Sequence, residues 1–248
     1  MPYRESKKEI LGIILAILVM LGGSYLIATG LLESRSPEQR ERINMDNDEI
    51  FELPSPNRTG ELPVEETIEE RRSIRSYTEQ PLDIEEVSQL LWSAQGITSD
   101  DGKRAAPSAG ATYPLETYLV VDEGGVEGLE RGVYRYIPED HVLEKVMEEG
   151  IHEELSSAAL GQSPVEDAPV NIVITAVYER TKERYGERGK RYVHMEAGHA
   201  AQNIYLQSEA LDLGTVVIGA FNDGEVQEVM DLPSDHEPLY IMPVGNPG

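Results

Sequence analysis

The chain has 248 residues, 46 of them acidic and 21 basic, a formal net charge of −25, and no cysteine. Disulfides, thiolate metal sites and cysteine nucleophiles are therefore excluded, and so acidic a surface repels phosphate backbones and disfavours nucleic-acid binding. The length allows one ordinary domain plus extras.

Residues 1–9 form a short leader. Residues 10–32 are 23 residues without a charge, long enough to cross the hydrocarbon core of a bilayer with some tilt. A cleaved signal would have a shorter apolar core and a small-residue cleavage site. Here Ala28-Thr29-Gly30 runs straight into apolar Leu31 and Leu32, so a single-pass, uncleaved anchor is expected. Arg4, Lys7 and Lys8 before the span nearly balance Arg35, Arg40 and Arg42 after it; so short a leader favours an inside N-terminus and a main domain outside the cytoplasm. Residues 33–62 are polar and punctuated by Pro37, Pro54 and Pro56, a composition that reads as a linker. The folded domain is expected at 63–248.

Within that domain, Pro63 opens a helix over 64–73 that closes on basic residues. Asp83 caps a second helix over 84–94, with Ile84, Val87, Leu90 and Leu91 on one face. A loop over 96–110 leads to a strand at 115–121. Residues 132–136 and 142–146 form a hairpin around Pro138-Glu139-Asp140. A short helix over 151–160 precedes the apolar run 170–177, which reads as a strand covered on both faces. A long helix follows from Lys190 to about Leu211, then a strand at 215–218, a helix at 225–230 and a last strand at 239–244. Helices and strands mix without strict βαβ alternation, so the class is α+β with a helix-covered central sheet.

The long helix is fine-grained at Ala197, Gly198, Ala200 and Ala201. Gly in a helix interior costs up to about 1 kcal/mol against Ala, so Gly198 suggests a close approach by another backbone or a flat ligand. Asp212-Leu213-Gly214 reads as its stop, with Gly214 able to take the left-handed conformation.

Several familiar motifs fail. Residues 96–103 imitate a phosphate loop, but the glycine spacing is one too long and Arg104 stands where a magnesium-binding hydroxyl belongs. No GxSxG or HExxH occurs. His194 and His199 lie about 140° apart on a helix and cannot share one metal face. Glu196 and His199 do share a face and read as a satisfied polar pair. No metal site is expected.

Three segments carry chemistry when read together. Arg71, Arg72, Ser73 and Arg75 put three guanidiniums and a hydroxyl within five residues, a grip for phosphate through charge-assisted hydrogen bonds. Residues 104–114 place Pro107, Ser108 and Gly110 in a small-residue loop with room for a flat ring. Gly219 and Ala220 present bare backbone N–H groups at the end of the strand that follows the long helix. Taken singly, each also reads as a helix end, a connecting loop or a tight turn.

In this order, and with Glu196-Ala-Gly-His-Ala-Ala-Gln-Asn203 between the second and third, they resemble the nitroreductase superfamily of FMN-dependent oxidoreductases. The resemblance is nearest to the SagB-type dehydrogenase branch, which includes enzymes that oxidise azolines to azoles. It implies a nitroreductase-like fold, with a mainly antiparallel central sheet and the long helix at the interface of a homodimer. It further implies FMN held at its phosphate and ribityl chain by Arg71, Arg72, Ser73 and Arg75, flanked at the ring by Pro107, Ser108 and Gly110, and met near N5 by Gly219 and Ala220. NAD(P)H is the implied electron donor, with hydride passing through flavin N5 to or from a small organic substrate.

Two departures bear on function. The sequence ends Gly245-Asn246-Pro247-Gly248, without the basic residues many relatives carry there, which predicts a looser hold on the phosphate and leaves a non-catalytic flavin-binding scaffold as an alternative. Azoline-oxidising relatives use a Lys-Tyr pair ahead of the long helix; here Arg184-Tyr185 stands there. Arginine stays protonated near neutral pH and cannot serve as a general base, which counts against azoline oxidation and leaves Tyr185 as the candidate proton donor.

Overall fold

The computed structural model describes residues 50–248. The charge-free stretch 10–32 and the leader lie outside the described residues. Among the described residues, no helix is long and apolar enough to cross a membrane.

The chain runs β1 (Ile50–Glu52), α1 (Val64–Glu70), α2 (Ile84–Gln95), a short 3-10 turn (Ala109–Ala111), β2 (Leu115–Val121), β3 (Gly132–Ile137) and β4 (Val142–Met147). It continues α3 (His152–Ala158), α4 (Ser163–Asp167), β5 (Val170–Ala176), α5 (Tyr178–Tyr185), α6 (Arg188–Glu209), β6 (Gly214–Thr215), α7 (Asp223–Val229) and β7 (Glu237–Gly245). The strands form one sheet in the order β1-β4-β3-β2-β5-β7-β6, and every ladder between them is antiparallel. The expected α+β class with a helix-covered antiparallel sheet is what the chain adopts.

The period-two pleat of the central strands divides the core in two. Val170, Ile172 and Ile174 of β5, with Leu119 and Val121 of β2, face the layer made by α2 and α6. Val173 of β5, Tyr118 and Val120 of β2 and Ile241 of β7 face α3, α4 and α7 through Leu155, Val165 and Val226. All seven residues of β5 are buried, as its unbroken apolar pattern predicts. Each fully buried Leu, Ile or Val contributes about 1.5–3 kcal/mol, so this double-faced sheet is the rigid frame for the site.

Structure begins before the expected boundary. In the segment read as linker, β1 pairs with β4 and Leu53 is buried. Three residues are too few for alternation to show in a sequence. The first helix stops at Glu70, so Arg71 to Arg75 follow it outside any helix or strand rather than closing it. The strand expected at 215–218 is a ladder only at Gly214–Thr215; Ile218 meets β7 by a separate bridge to Ile241.

The long helix also differs in detail. Ala197, Ala200 and Ala201 are buried in the same cluster as Leu90, Leu91 and Ala94 of α2, so the small residues let those bulky side chains fit. Gly198 instead points outward, with nothing within 4 Å of where its Cβ would stand; no close approach occurs there within the chain. The left-handed residue that ends α6 is Asp212, at φ 57°. Gly214 is glycine for another reason: a Cβ there would lie 2.6 Å from Cγ2 of Ile74.

Candidate active site

The arginine segment crosses the C-terminal half of α6 and is stitched on both sides. Ile74 N–H donates to the Thr215 carbonyl at 2.9 Å, Thr78 N–H to Asn246 at 2.9 Å, and Gly248 N–H to Ser76 at 3.0 Å. One side chain ties the segment to the chain just beyond β6. The Tyr205 hydroxyl lies 3.1 Å from Ser73 Oγ and accepts the Val217 N–H at 2.8 Å, while the Arg71 guanidinium sits 5.0 Å above the Tyr205 ring.

Arg71, Arg72 and Arg75 form no ion pair with a carboxylate among the described residues. Arg72 donates to the Glu69 and Arg71 carbonyls, and Arg75 to that of Ser73. Glu209 lies within electrostatic reach of Arg71 and Arg72, but no carboxylate among the described residues pairs directly with the three guanidiniums, which leaves them able to hold an anion by charge-assisted hydrogen bonds.

Beyond Val217, the chain turns through exposed Gly219 and Ala220. The Ala220 carbonyl accepts from Gln162 at 2.8 Å, but neither residue's N–H donates to a partner among the described residues. A Cβ on Gly219 would only touch the Tyr240 ring at 3.5 Å, so packing within the chain does not demand glycine. Two free donors on an open turn fit a ring nitrogen or carbonyl.

The small-residue loop is built by α5 and α6. Ser108 Oγ accepts the Tyr113 N–H at 3.0 Å. Arg180 donates to the Tyr113 carbonyl at 3.1 Å, Arg184 to the Gly110 carbonyl at 3.0 Å, and the Thr112 and Thr181 hydroxyls meet at 2.8 Å. Gly110 has φ 64°, a left-handed backbone that favours glycine, and a Cβ on it would lie 2.6 Å from the Tyr185 hydroxyl, which would have to shift. Tyr185, 75 positions away in sequence, is thus brought against the loop. Pro107 is exposed at its entrance.

Glu196 lies beneath this loop and is 2% exposed, with no hydrogen-bond partner for Oε1. Burial raises its pKa to about 7, against the opposing pull of the Ser108 hydroxyl, Arg104 and the Ala109 amide. It is not the polar partner of His199, which is exposed; the two positions diverge because α6 turns Glu196 inward. His194 bonds the Tyr178 hydroxyl at 2.5 Å.

The predicted residues therefore gather into two groups along α6. Arg71, Ser73 and the chain leading to Gly219 meet at Tyr205; Ser108, Gly110 and Tyr185 meet near Glu196, nine residues and about 13 Å of helix away. A separate cleft of about 870 Å³, lined by Gln89, Trp92, Asn203, Leu206 and Ala210 among others, includes none of the predicted residues. Sequence reading missed Tyr205 and misread Glu196; the one signal for Tyr205 was a hydroxyl beside the apolar face of a long helix.

The fold and this arrangement define a class. The nitroreductase family model matches residues 68–246, and the chain belongs to that family. A Methanocaldococcus jannaschii protein named as a nitroreductase is 48% identical over 185 residues, covering 75% of this chain and 91% of its own. The microcin B17-processing protein McbC of Escherichia coli is 30% identical over 156 residues, 61% of this chain and 57% of that protein. A crystal structure described as a nitroreductase from Ralstonia eutropha JMP134 superposes with a TM-score of 0.71 at 31% identity, covering 81% of this chain and 90% of that one.

Proposed function

We propose that this nitroreductase-family oxidoreductase binds FMN and works as a homodimer, transferring two electrons between a donor and a small organic substrate. The carrying observation is the set of three guanidiniums without carboxylate partners among the described residues, with Arg71 over the ring of Tyr205, whose hydroxyl meets Ser73 and the amide of Val217. Bound flavin supplies the hydride chemistry; the protein supplies position and electrostatics. Arg71, Arg72, Ser73 and Arg75 hold the phosphate and ribityl chain. Gly219 and Ala220 direct their free N–H groups at the ring. Pro107, Ser108 and Gly110 cover it, and Tyr185 holds a proton beside that cover.

The separation of the two groups along α6 supports a site completed by a second copy, one supplying the arginine group and the other the loop. Exposed Met195, Gly198 and Gln202 lie on one side of α6 and suit such a contact. NAD(P)H is the proposed donor. Residues 10–32 are proposed to anchor the chain with its domain outside the cytoplasm; there a quinol, the reduced form of a quinone, or another donor would replace NAD(P)H, and protease accessibility in sealed membranes reports the orientation.

A second reading, dehydrogenation of an azoline in a modified peptide, is favoured by the position of Tyr185 against the loop and by the similarity to McbC. The engagement of Arg184 with Gly110 weighs against it. The full chain, purified in detergent, should be yellow and be bleached anaerobically by NADH or NADPH. A colourless protein that stays colourless with added FMN refutes the flavin reading and leaves a scaffold.

A further inference from the structure

The corner between α5 and α6 carries a feature that flavin binding does not use. Gly186, at φ 57°, ends α5, and Gly189 lets α6 cross it so closely that a Cβ there would lie 3.0 Å from Lys182 N. This turn stacks four side chains in a row. The Arg184 guanidinium is 5.6 Å from the Tyr185 ring, the Tyr185 and Tyr192 rings meet edge to face at 5.1 Å, and the Arg188 guanidinium is 6.0 Å from the Tyr192 ring. The row is fixed to the site loop, because Arg184 donates to Gly110 and the Tyr185 hydroxyl abuts it.

Charge is distributed unevenly here. Residues 178–191 hold six basic residues besides their acidic ones, in a chain of net charge −25. Arg180 pairs with Glu116, Lys182 with Glu179 and Glu187, and Lys190 with Glu187. Arg184 and Arg188 pair with no carboxylate among the described residues. Guanidiniums held over aromatic rings are oriented and weakly hydrated, suited to bidentate contact with a carboxylate or phosphate, while the ring edges and faces suit a flat apolar body.

We infer that the row Arg184-Tyr185-Tyr192-Arg188 recognises a flat reaction partner bearing an oxyanion, with Arg188 as the specificity-determining residue. The inference rests on the proposed flavin site, whose covering loop the row adjoins. The oxyanion belongs either to the oxidised substrate, as an aromatic carboxylate, or to the reduced donor, as the diphosphate of a nicotinamide dinucleotide.

The test uses the flavin-loaded full chain and two matched pairs: 4-nitrobenzoate against 4-nitrobenzamide as acceptor, and NADH against 1-benzyl-1,4-dihydronicotinamide as donor. In the wild type, kcat/KM should favour the charged member of one pair by about tenfold or more, the scale of a charge-assisted contact. Arg188→Gln should collapse that ratio toward one through KM, and Arg188→Lys should restore part of it. A collapse in the acceptor pair assigns the oxyanion to the substrate, and one in the donor pair to the nicotinamide. Charged and neutral members handled alike by the wild type, or a ratio that survives Arg188→Gln, overturns the inference and leaves the flavin reading intact. A chain without flavin overturns both.

Discussion

Glu196 shows what a single buried charge does to this fold. Its carboxyl is held at a pKa of about 7 against an ordinary 4.5, so between those pH values the folded chain binds more protons than the unfolded one. Stability from this group therefore falls as pH rises from about 4.5 to 7, by up to about 3 kcal/mol. Glu196→Gln removes the ionisation while keeping the shape. Thermal unfolding across pH 5–8 should show the variant gaining on the wild type as pH rises; a constant difference across that range counts against a raised pKa. Residue identity alone does not give this behaviour. Glu196 and His199 are three apart and share a helical face in a sequence, and only the docking of the loop over α6 decides that one turns inward. Gly110 was more legible, since a glycine between small residues in a loop announces a special backbone, although its contact with Tyr185 did not.

At the scale of elements, strands and helices with strong periodicity were readable: β2, β5 and α2 lie within a residue or two of the expected bounds. Elements without that signal were not. α5 has eight residues, five of them charged, too short for its one face of Tyr178, Thr181 and Tyr185 to stand out, and β1 has three residues. The links between elements are the least legible of all, because they rest on single polar contacts between distant positions. Tyr205 is the clearest case, joining the exit of α1 to the chain just beyond β6. Tyr205→Phe leaves the Val217 N–H without its acceptor, which costs about 1–3 kcal/mol when the group stays buried. A lower midpoint in urea with an unchanged slope is expected, together with weaker flavin retention; wild-type stability in this variant would mean that the bond does not hold the segment.

For the whole molecule, the family was written in three short motifs and their order, while the distribution of those motifs along α6 was not. Composition locates no surface, so neither the three arginines left without carboxylates nor the positive corner at α5 and α6 stands out from a net charge of −25 until the chain is folded. Both features support the same proposal, that cations without carboxylate partners among the described residues mark where an anion binds. The proposed phosphate site is the more basic of these claims, because the other depends on it. It is tested most directly by titrating FMN into the full-length Arg71→Ala/Arg75→Ala variant and the wild type. Removing two guanidiniums proposed to donate charge-assisted hydrogen bonds to the phosphate should raise Kd at least about tenfold while the thermal midpoint of the flavin-free protein stays near wild type. Equal affinity in the two proteins would contradict the assignment.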